Sequence, residues 1–161
     1  MSRANSFPPS VDESARVLIL GSMPGAESLR QQQYYAFRHN VFWRIMGELY
    51  DFPVETPYPE RLAILRRHRI ALWDVLAECE RPGSLDSSIR APRPNDIPGL
   101  AGKLPHLEKI LCNGGAARNY LHRFFPELDA QQLPSTSPAA ARFSYAQKLA
   151  AWKAALESAQ R

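Results

Sequence analysis

An apolar strand that runs directly into a glycine and proline turn constrains the fold of this chain more than any other feature. Residues 16–22 read RVLILGS, with branched apolar side chains and no polar alternation, and residues 21–25 complete the turn as GSMPG. An apolar run of this kind is typical of a strand that is covered on both faces in a parallel sheet. A glycine turn at its end lets backbone N–H groups approach a bound ligand. The loop that follows offers aromatic faces to a planar ligand at Tyr34, Tyr35 and Phe37.

The rest of the chain alternates between segments of strand and helix character. Further strands are predicted at residues 70–76, 109–112 and 132–133, and helices at residues 40–50, 60–68, 97–104, 116–125 and 144–158. Residues 80–98, rich in Pro, Ser and Arg, are predicted to form a long surface loop, and residues 1–14 a flexible lead-in. This order predicts a single domain over residues 1–161, a three-layer α/β/α sandwich with a central, mainly parallel four-stranded sheet.

The carboxyl ends of the predicted strands are expected to form one cleft. Right-handed crossovers bring these ends to the same edge of a parallel sheet, and open α/β sheets bind their ligands at that edge. The residues that follow the four strands are therefore expected to line the cleft: Gly21, Ser22, Met23, Pro24 and Gly25, then Asp74, then Asn113, Gly114 and Gly115, then Ser135, Thr136, Ser137 and Pro138.

Composition and charge permit a polyanionic partner without requiring one. The net charge of +4 arises from 20 Lys and Arg against 16 Asp and Glu, an excess that is also common in proteins that never bind nucleic acid. Cys79 and Cys112 form no C-x-x-C motif and are predicted to be free thiols in a reducing cytosol. The histidines show no metal-ligand spacing, and no apolar stretch is long enough to span a membrane. We therefore expect a cytoplasmic monomer without a membrane segment, a metal or another cofactor.

Six motifs in a fixed order resemble the uracil-DNA glycosylase superfamily. They lie within residues 17–152 and read GSMPG, QYYA, N-x-FW, ALWDVL, CNGGAA and LPSTSPA. Their combination is specific, whereas GSMPG alone is a weak signal. Within the superfamily they are most similar to the branch that removes hypoxanthine from deoxyinosine, the family-six hypoxanthine-DNA glycosylases. The resemblance implies that the pocket binds a base rotated out of double-stranded DNA.

The resemblance implies that Asn40 positions the water that attacks the sugar. Members of the superfamily carry Asp or Asn at the third position of the first motif for this purpose, and this chain has Met23 there. A thioether cannot take a proton and accepts hydrogen bonds only weakly, so the water must be held elsewhere. An amide can orient a water without deprotonating it, which suffices if the sugar becomes an oxocarbenium ion. The alternative is that Asn40 is a plain helix N-cap, and the two roles are compatible.

Three further residues are implied to contact the flipped base. Tyr35 occupies the position of the stacking aromatic, and the alternative is a loop tyrosine that only packs. Asp74 stands where relatives place an Asn that reads the base. An ionised carboxylate there accepts the N1–H of hypoxanthine, or else it caps a loop or pairs with an arginine. Asn113 matches an Asn of the hypoxanthine branch and is expected to bond the base edge or to cap the next helix.

Residues 135–138, which read STSP, resemble the second superfamily motif, His-Pro-Ser-Pro in the uracil branch. Ser135 replaces the histidine, which disfavours the way in which the uracil branch activates its leaving group. The resemblance implies that residues 135–139 hold DNA phosphates through hydroxyl and backbone N–H groups, unless this is an ordinary Ser/Pro loop. Ala139 and Ala140 stand where relatives carry a larger side chain that fills the vacated stack, so base extrusion is expected to rely on weak pairing.

The motifs together predict an enzyme that hydrolyses the N-glycosidic bond of deaminated bases in DNA, with hypoxanthine in deoxyinosine as the expected target. Backbone N–H groups of the GSMPG turn and the Asn113 amide are expected to stabilise charge on the departing base. No lysine lies in the motifs, which disfavours strand nicking through a Schiff base. Three alternatives stay open: the same reaction on mismatched uracil, a binding module for damaged bases without catalysis, and an α/β protein that binds nucleotides or hydrolyses free nucleosides.

Overall fold

The computed structural model of the protein describes residues 3–159 as seven strands and six α-helices. The strands are β1 (Arg3–Asn5), β2 (Val17–Gly21), β3 (Ile70–Asp74), β4 (Leu76–Glu80), β5 (Arg90–Pro94), β6 (Lys109–Asn113) and β7 (Gln131–Leu133). The helices are α1 (Ala26–Gln31), α2 (Phe42–Tyr50), α3 (Tyr58–Arg67), α4 (Ile97–Gly102), α5 (Gly115–Phe124) and α6 (Tyr145–Ala159). A short 3₁₀ turn covers Asp86–Ser88.

The central sheet has four parallel strands in the order β3-β2-β6-β7, which confirms the predicted sheet. Val17 at the start of β2 pairs with Ile70 on one side and with Lys109 on the other. The chain first extends the sheet from β2 to β3 and then crosses back to β6. The strand order therefore reverses between β2 and β6, and the crevice at the carboxyl ends of these two strands is where such sheets bind ligands.

Side chains of the central strands alternate between two apolar layers, which makes the fold a three-layer sandwich. Val17 and Ile19 face a core completed by α2, α3 and α6, in which Phe42 and Trp152 are fully buried. Leu18 and Leu20 face the opposite core, which α4, α5 and β4 complete. Because all five residues of β2 are buried, with a core on each face of the strand, an uninterrupted apolar run is the sequence that this position requires.

A second sheet, absent from the sequence prediction, forms from β1, β4 and β5 in antiparallel pairs. The predicted surface loop over residues 80–98 is therefore wrong for Arg90–Pro94, which pairs with β4 through two register shifts. Its sequence, RAPRP, has neither the apolar content nor the period of a strand. Ion pairs across the sheet support the pairing, since Glu78 lies 3.2 Å from Arg93 and 3.4 Å from Arg3.

The N-terminal segment is part of the folded domain, so the predicted flexible lead-in is wrong for residues 3–14. Phe7 is only 8% exposed and packs edge to face on Tyr34, with ring centroids 5.2 Å apart. The backbone of Ser10 exchanges two hydrogen bonds of 2.9 Å with Leu72 of β3. A segment with two prolines and few apolar residues is predicted to be disordered. The prediction failed because the contacts that order this segment are made with residues far away in the sequence. The first two residues of the lead-in lie outside the described range.

Candidate active site

A cavity of about 210 Å³ opens at the carboxyl edge of the parallel sheet, beside the crevice between β2 and β6. It brings together the predicted site residues except Gly114 and Gly115, which do not line it, and Pro138 and Ala139, which lie exposed beyond it. The lining consists of Gly21, Ser22, Met23, Pro24, Gly25, Ala26, Glu27, Ser28, Tyr34, Tyr35, Phe37, Asn40, Asp74, Ser84, Asp86, Asn113, Ser135, Thr136 and Ser137. These residues include three carboxyl groups and no lysine, arginine or histidine.

Gly21 closes the floor of the cavity because no larger residue fits there. A Cβ atom at this position would clash with Oδ1 of Asp74 and lie 3.2 Å from the hydroxyl oxygen of Tyr35. The glycine therefore allows a carboxyl and a phenol hydroxyl to meet over the end of β2.

The GSMPG turn is held from outside by the loop that connects β4 to the 3₁₀ turn. Three contacts join them: Arg81 donates to the carbonyl oxygen of Pro24, the Ala26 N–H donates to Ser84 Oγ at 2.7 Å, and the Ser22 hydroxyl donates to Asp86 Oδ1 at 2.6 Å. The Arg81 side chain is 1% exposed, so this contact is shielded from water. Residues 81–88 thus form one wall of the cavity and fix the turn opposite the sheet.

Tyr35 lies in the cavity wall with a backbone conformation that few residues adopt. Its φ of 56° is in the left-handed region, which is unfavourable for a bulky side chain. Its ring stacks on Phe42 at 4.1 Å between centroids with an interplanar angle of 26°. Burial, with a smaller contribution from the nearby Asp74 carboxylate, raises the pKa of the Tyr35 hydroxyl far above its usual value, so the phenol stays neutral. The strained backbone holds a neutral aromatic ring in place against a rigid support.

Asn40 lies two residues before α2, whose N-cap is Val41 rather than the predicted Asn40, and it contributes its amide to the cavity. Its Oδ1 accepts a 3.0 Å hydrogen bond from the N–H of Phe42, and its own N–H donates to the carbonyl oxygen of Phe37 at 2.9 Å. No hydrogen bond of Asn40 Nδ2 occurs among residues 3–159. The side chain therefore satisfies a helix N–H with its oxygen, while its amino group is available to a ligand or a water.

Asn113 is engaged by the loop after β7. Its Oδ1 accepts from the N–H of Thr136 at 2.9 Å, and its Nδ2 donates to the Thr136 hydroxyl at 3.0 Å. The carbonyl oxygen of Thr136 in turn accepts from the N–H of Val41 at 3.0 Å, next to Asn40. Gly114, with φ 94°, brings the end of β6 so close that a Cβ atom would lie 2.9 Å from that of Ser135. Asn113 thus connects β6 to the start of α2 through one buried threonine.

Asp74 is the most perturbed acid of the cavity. It is 3% exposed, and its Oδ2 has no hydrogen-bond partner among the described residues. Burial and the carboxylate of Asp86 raise the pKa of Asp74 to about 7, against an opposing influence of Arg81. The expected alternative of an ion pair with an arginine does not fit, since Arg81 donates to backbone carbonyl groups instead.

The loop over residues 135–138 is fixed to the domain by α6. Lys148 Nζ donates to the carbonyl oxygen of Ser137 at 3.1 Å, and Trp152 Nε1 donates to that of Pro134 at 3.0 Å. Ser135 Oγ accepts from the N–H of Ser137 at 3.1 Å, so the loop turns tightly at the rim of the cavity. Its exposed tip is therefore held rigidly beside the cavity mouth.

The profile of the uracil DNA glycosylase superfamily matches residues 8–159. The chain belongs to this superfamily. It is 41% identical over 141 residues to a protein of Methanosarcina acetivorans named hypoxanthine DNA glycosylase, covering 86% of this chain and 89% of that one. A Methanosarcina barkeri protein of the same name is 37% identical over 119 residues, covering 73% of this chain and 75% of that one.

A solved structure shares the fold of this superfamily member over nearly its whole length. It is the solution NMR structure of a Methanosarcina acetivorans protein with the provisional name uracil DNA glycosylase. The TM-score is 0.82 at 36% sequence identity, and the match covers 99% of this chain and 100% of that one.

The sequence analysis did not predict the cavity wall that residues 81–88 form. Ser84 and Asp86 lie about sixty residues along the chain from the turn that they contact, in a stretch predicted to be a surface loop. The Pro82-Gly83 turn signal indicates only that the chain reverses there, and it carries no information about the partner. Glu27 and Ser28 belong to α1, which the sequence prediction read as loop.

Two further properties of this superfamily member bear on its chemistry. No group of three or more His, Cys, Asp or Glu within residues 3–159 is arranged to hold a metal ion. Over the same range, no helix is both long and apolar enough to cross a bilayer. Cys79 and Cys112 are free and buried, and burial raises the pKa of both thiols.

Proposed function

We propose that this protein is a DNA glycosylase that hydrolyses the N-glycosidic bond of deoxyinosine and releases hypoxanthine. The observation that carries the proposal is the convergence of Tyr35, Asn40 and Asp74 on one cavity whose described lining lacks any cationic side chain. Such a site recognises a neutral planar base and relies on amide and carboxyl groups. The two Methanosarcina relatives that carry the name hypoxanthine DNA glycosylase support the same substrate.

DNA binding begins at the rim of the cavity. The loop over residues 135–139 meets phosphates with hydroxyl and backbone N–H groups, and its attachment to α6 keeps it rigid. The target nucleotide rotates out of the duplex and its base enters the cavity. Tyr35 stacks on the base while Phe42 supports the ring from behind.

The hydrolysis step needs a positioned water more than a strong base. Met23 contributes only a thioether to the cavity, so the free Nδ2 of Asn40 holds the water that attacks C1′. An oxocarbenium-like sugar is electrophilic enough to react with a neutral water. Backbone N–H groups of the GSMPG turn stabilise the partial negative charge that builds on the base as the bond breaks. No lysine lines the cavity among the described residues, so we propose simple hydrolysis without a Schiff base.

Asn113 has a positioning role in this scheme. Both polar atoms of its amide already bond to Thr136, and Thr136 bonds to the first turn of α2. The amide therefore fixes the positions of Asn40 and of the loop over residues 135–139 relative to the cavity floor. Direct contact between Asn113 and the base, predicted from the sequence, stays a prediction.

One assay on a panel of duplexes tests the proposal. A wild-type enzyme that releases hypoxanthine from deoxyinosine much faster than uracil from a mismatch supports it, and the reverse order favours mismatch uracil as the target. Tight binding to inosine DNA without base release would identify a binding module. Activity on free nucleosides, with an affinity for DNA that does not fall steeply with salt, would indicate the nucleoside-hydrolysing alternative. We propose that the enzyme acts as a monomer in the cytoplasm, where its two thiols stay reduced; gel filtration tests the monomer.

A further inference from the structure

One carboxyl oxygen in the cavity has no function in the scheme above. Oδ2 of Asp74 has no hydrogen-bond partner among the described residues and is buried from water. An ionised carboxylate in that position would lose its hydration without compensation, at a cost of several kcal/mol. A neutral carboxyl group avoids most of this cost and presents one O–H donor.

The groups that face Asp74 are mostly neutral or negative. Tyr34 and Tyr35 approach from the loop after α1, and Tyr58 approaches from α3. Asp86 and Arg81, on the loop that follows β4, are the two charged groups. Burial and the Asp86 carboxylate act in the same direction and outweigh Arg81, so the pKa of Asp74 rises to about 7.

The other two carboxyl groups of the lining are already occupied. Glu27 is half-buried and accepts hydrogen bonds from Arg30 and Gln31, which lower its pKa to about 2. Asp86 accepts the hydroxyl hydrogen of Ser22 and lies 4.0 Å from Arg81. Asp74 is therefore the one carboxyl group among the described lining residues that can carry a proton near neutral pH and has an oxygen free to give it away.

We propose, on the basis of the proposed function, that Asp74 is the general acid that protonates the departing purine. Hypoxanthine has two acceptors on one edge, N7 and O6, and a protonated carboxyl group donates to this edge where an ionised one would be repelled. This differs from the expected contact in which an ionised Asp74 accepts from N1–H. It assigns to the acid the leaving-group activation that Ser135, in place of a histidine, does not supply.

The step balances without any further reactant. The proton passes from Asp74 Oδ2 to N7 as the C1′–N9 bond breaks, and the electron pair of that bond stays on the base, which leaves as neutral hypoxanthine. The water held by Asn40 forms the new bond to C1′. The proton that this water loses restores the acid form of Asp74.

The test is single-turnover excision by the wild type and by Asp74→Asn between about pH 5 and pH 9. The wild-type rate on deoxyinosine is expected to fall as the pH rises through about 7, whereas Asp74→Asn is expected to be about 100-fold slower at pH 6 and independent of pH. Asp86→Asn serves as the matched variant, because removal of the second carboxylate moves the midpoint of the wild-type profile to lower pH without abolishing the fall.

Two further measurements separate an acid from a structural residue. The infrared C=O band of a protonated carboxyl group should persist to near neutral pH in the wild type and disappear in Asp74→Asn. A purine that already carries a methyl group on N7 needs no proton, so Asp74→Asn should release it at nearly the wild-type rate. A wild-type enzyme that releases hypoxanthine with a flat pH profile, or an Asp74→Asn variant with the wild-type rate on deoxyinosine, overturns the proposal and leaves the proposed function standing. A folded wild-type enzyme that releases no hypoxanthine refutes the proposed function instead.

Discussion

Some residues of the cavity serve both the fold and the proposed chemistry, and Asn40 shows this most clearly. Its oxygen bonds to the N–H of Phe42 while its amino group remains free. Asn40→Ala is expected to reduce deoxyinosine excision at least tenfold, about 1.4 kcal/mol of barrier, and to lower stability by about 1 kcal/mol through the lost hydrogen bond from Phe42. Asn40→Ser keeps an oxygen that can accept this bond, so thermal melting should recover while single-turnover rates should not. Excision near the wild-type rate in folded Asn40→Ala would remove this residue from the chemistry.

Tyr35 combines a strained backbone with a place in the cavity wall. Tyr35→Ala should slow excision by about 10- to 100-fold, since stacking on a base contributes roughly 1–3 kcal/mol. Tyr35→Phe retains the ring and its contact with Phe42, and we expect it to keep most of the activity. Rates measured under single-turnover conditions compare the two, and equal losses in both variants would show that the hydroxyl, rather than the ring, is what matters.

Asp74 should also affect stability, with a sign that follows from its pKa. The folded value, about 7, lies above the ordinary value of 3.8. The neutral form therefore stabilises the fold fully below about pH 4, and this contribution is lost as the pH rises through about 7. Asp74→Asn should therefore be more stable than the wild type at pH 8, by roughly 4 kcal/mol in the free energy of unfolding, since each pKa unit corresponds to about 1.4 kcal/mol. Glu27→Gln, which replaces a half-buried carboxylate paired with Arg30, should show no such gain. A wild-type protein that is more stable than Asp74→Asn at pH 8 would contradict the assigned burial cost.

At the scale of elements, the strands that carry the cavity were predictable and the wall opposite them was not. Strands β2 and β6 are apolar runs whose buried positions leave little choice, so their ends at Gly21 and Asn113 follow from the sequence. The strand over Arg90–Pro94 has no apolar period, and only its pairing with β4 defines it. Ser84 and Asp86 reach the cavity through contacts with a distant turn. Local sequence patterns predict which segments are buried, but they do not predict which distant surface a polar loop contacts.

This same loop carries an exposed leucine beside the cavity, and we predict that this side chain fills the stack that the flipped base vacates. Leu85 is 61% exposed and lies between two lining residues of the cavity, whereas Ala139 and Ala140 are too small for that task. Leu85→Ala should slow excision about tenfold on paired duplexes and leave single-stranded DNA unaffected, because only the duplex has to be unstacked. Val54→Ala, which shortens another exposed apolar side chain that does not line this cavity, is the control. A loss of equal size on single strands would argue against a wedge.

At the scale of the whole molecule, the N-terminal segment supports the cavity wall by packing against Tyr34. Phe7 packs on Tyr34, whose hydroxyl donates to the carbonyl oxygen of Pro8 at 2.9 Å, and Tyr34 lines the cavity. Phe7→Ala should reduce the free energy of unfolding by about 3 kcal/mol, as loss of a buried aromatic side chain does. Asn5→Ala, an exposed change in the same segment, should have little effect in urea denaturation. A Phe7→Ala protein as stable as the wild type would mean that the segment is only loosely attached.

The attachment of the loop over residues 135–138 to α6 links the cavity mouth to the apolar core. Lys148 and Trp152 donate to the backbone carbonyl groups of Ser137 and Pro134. Trp152 is also fully buried in the core that covers one face of the central sheet. The position of the loop and the packing of that core therefore depend on the same turn of α6, so a substitution that loosens this turn is expected to disturb both.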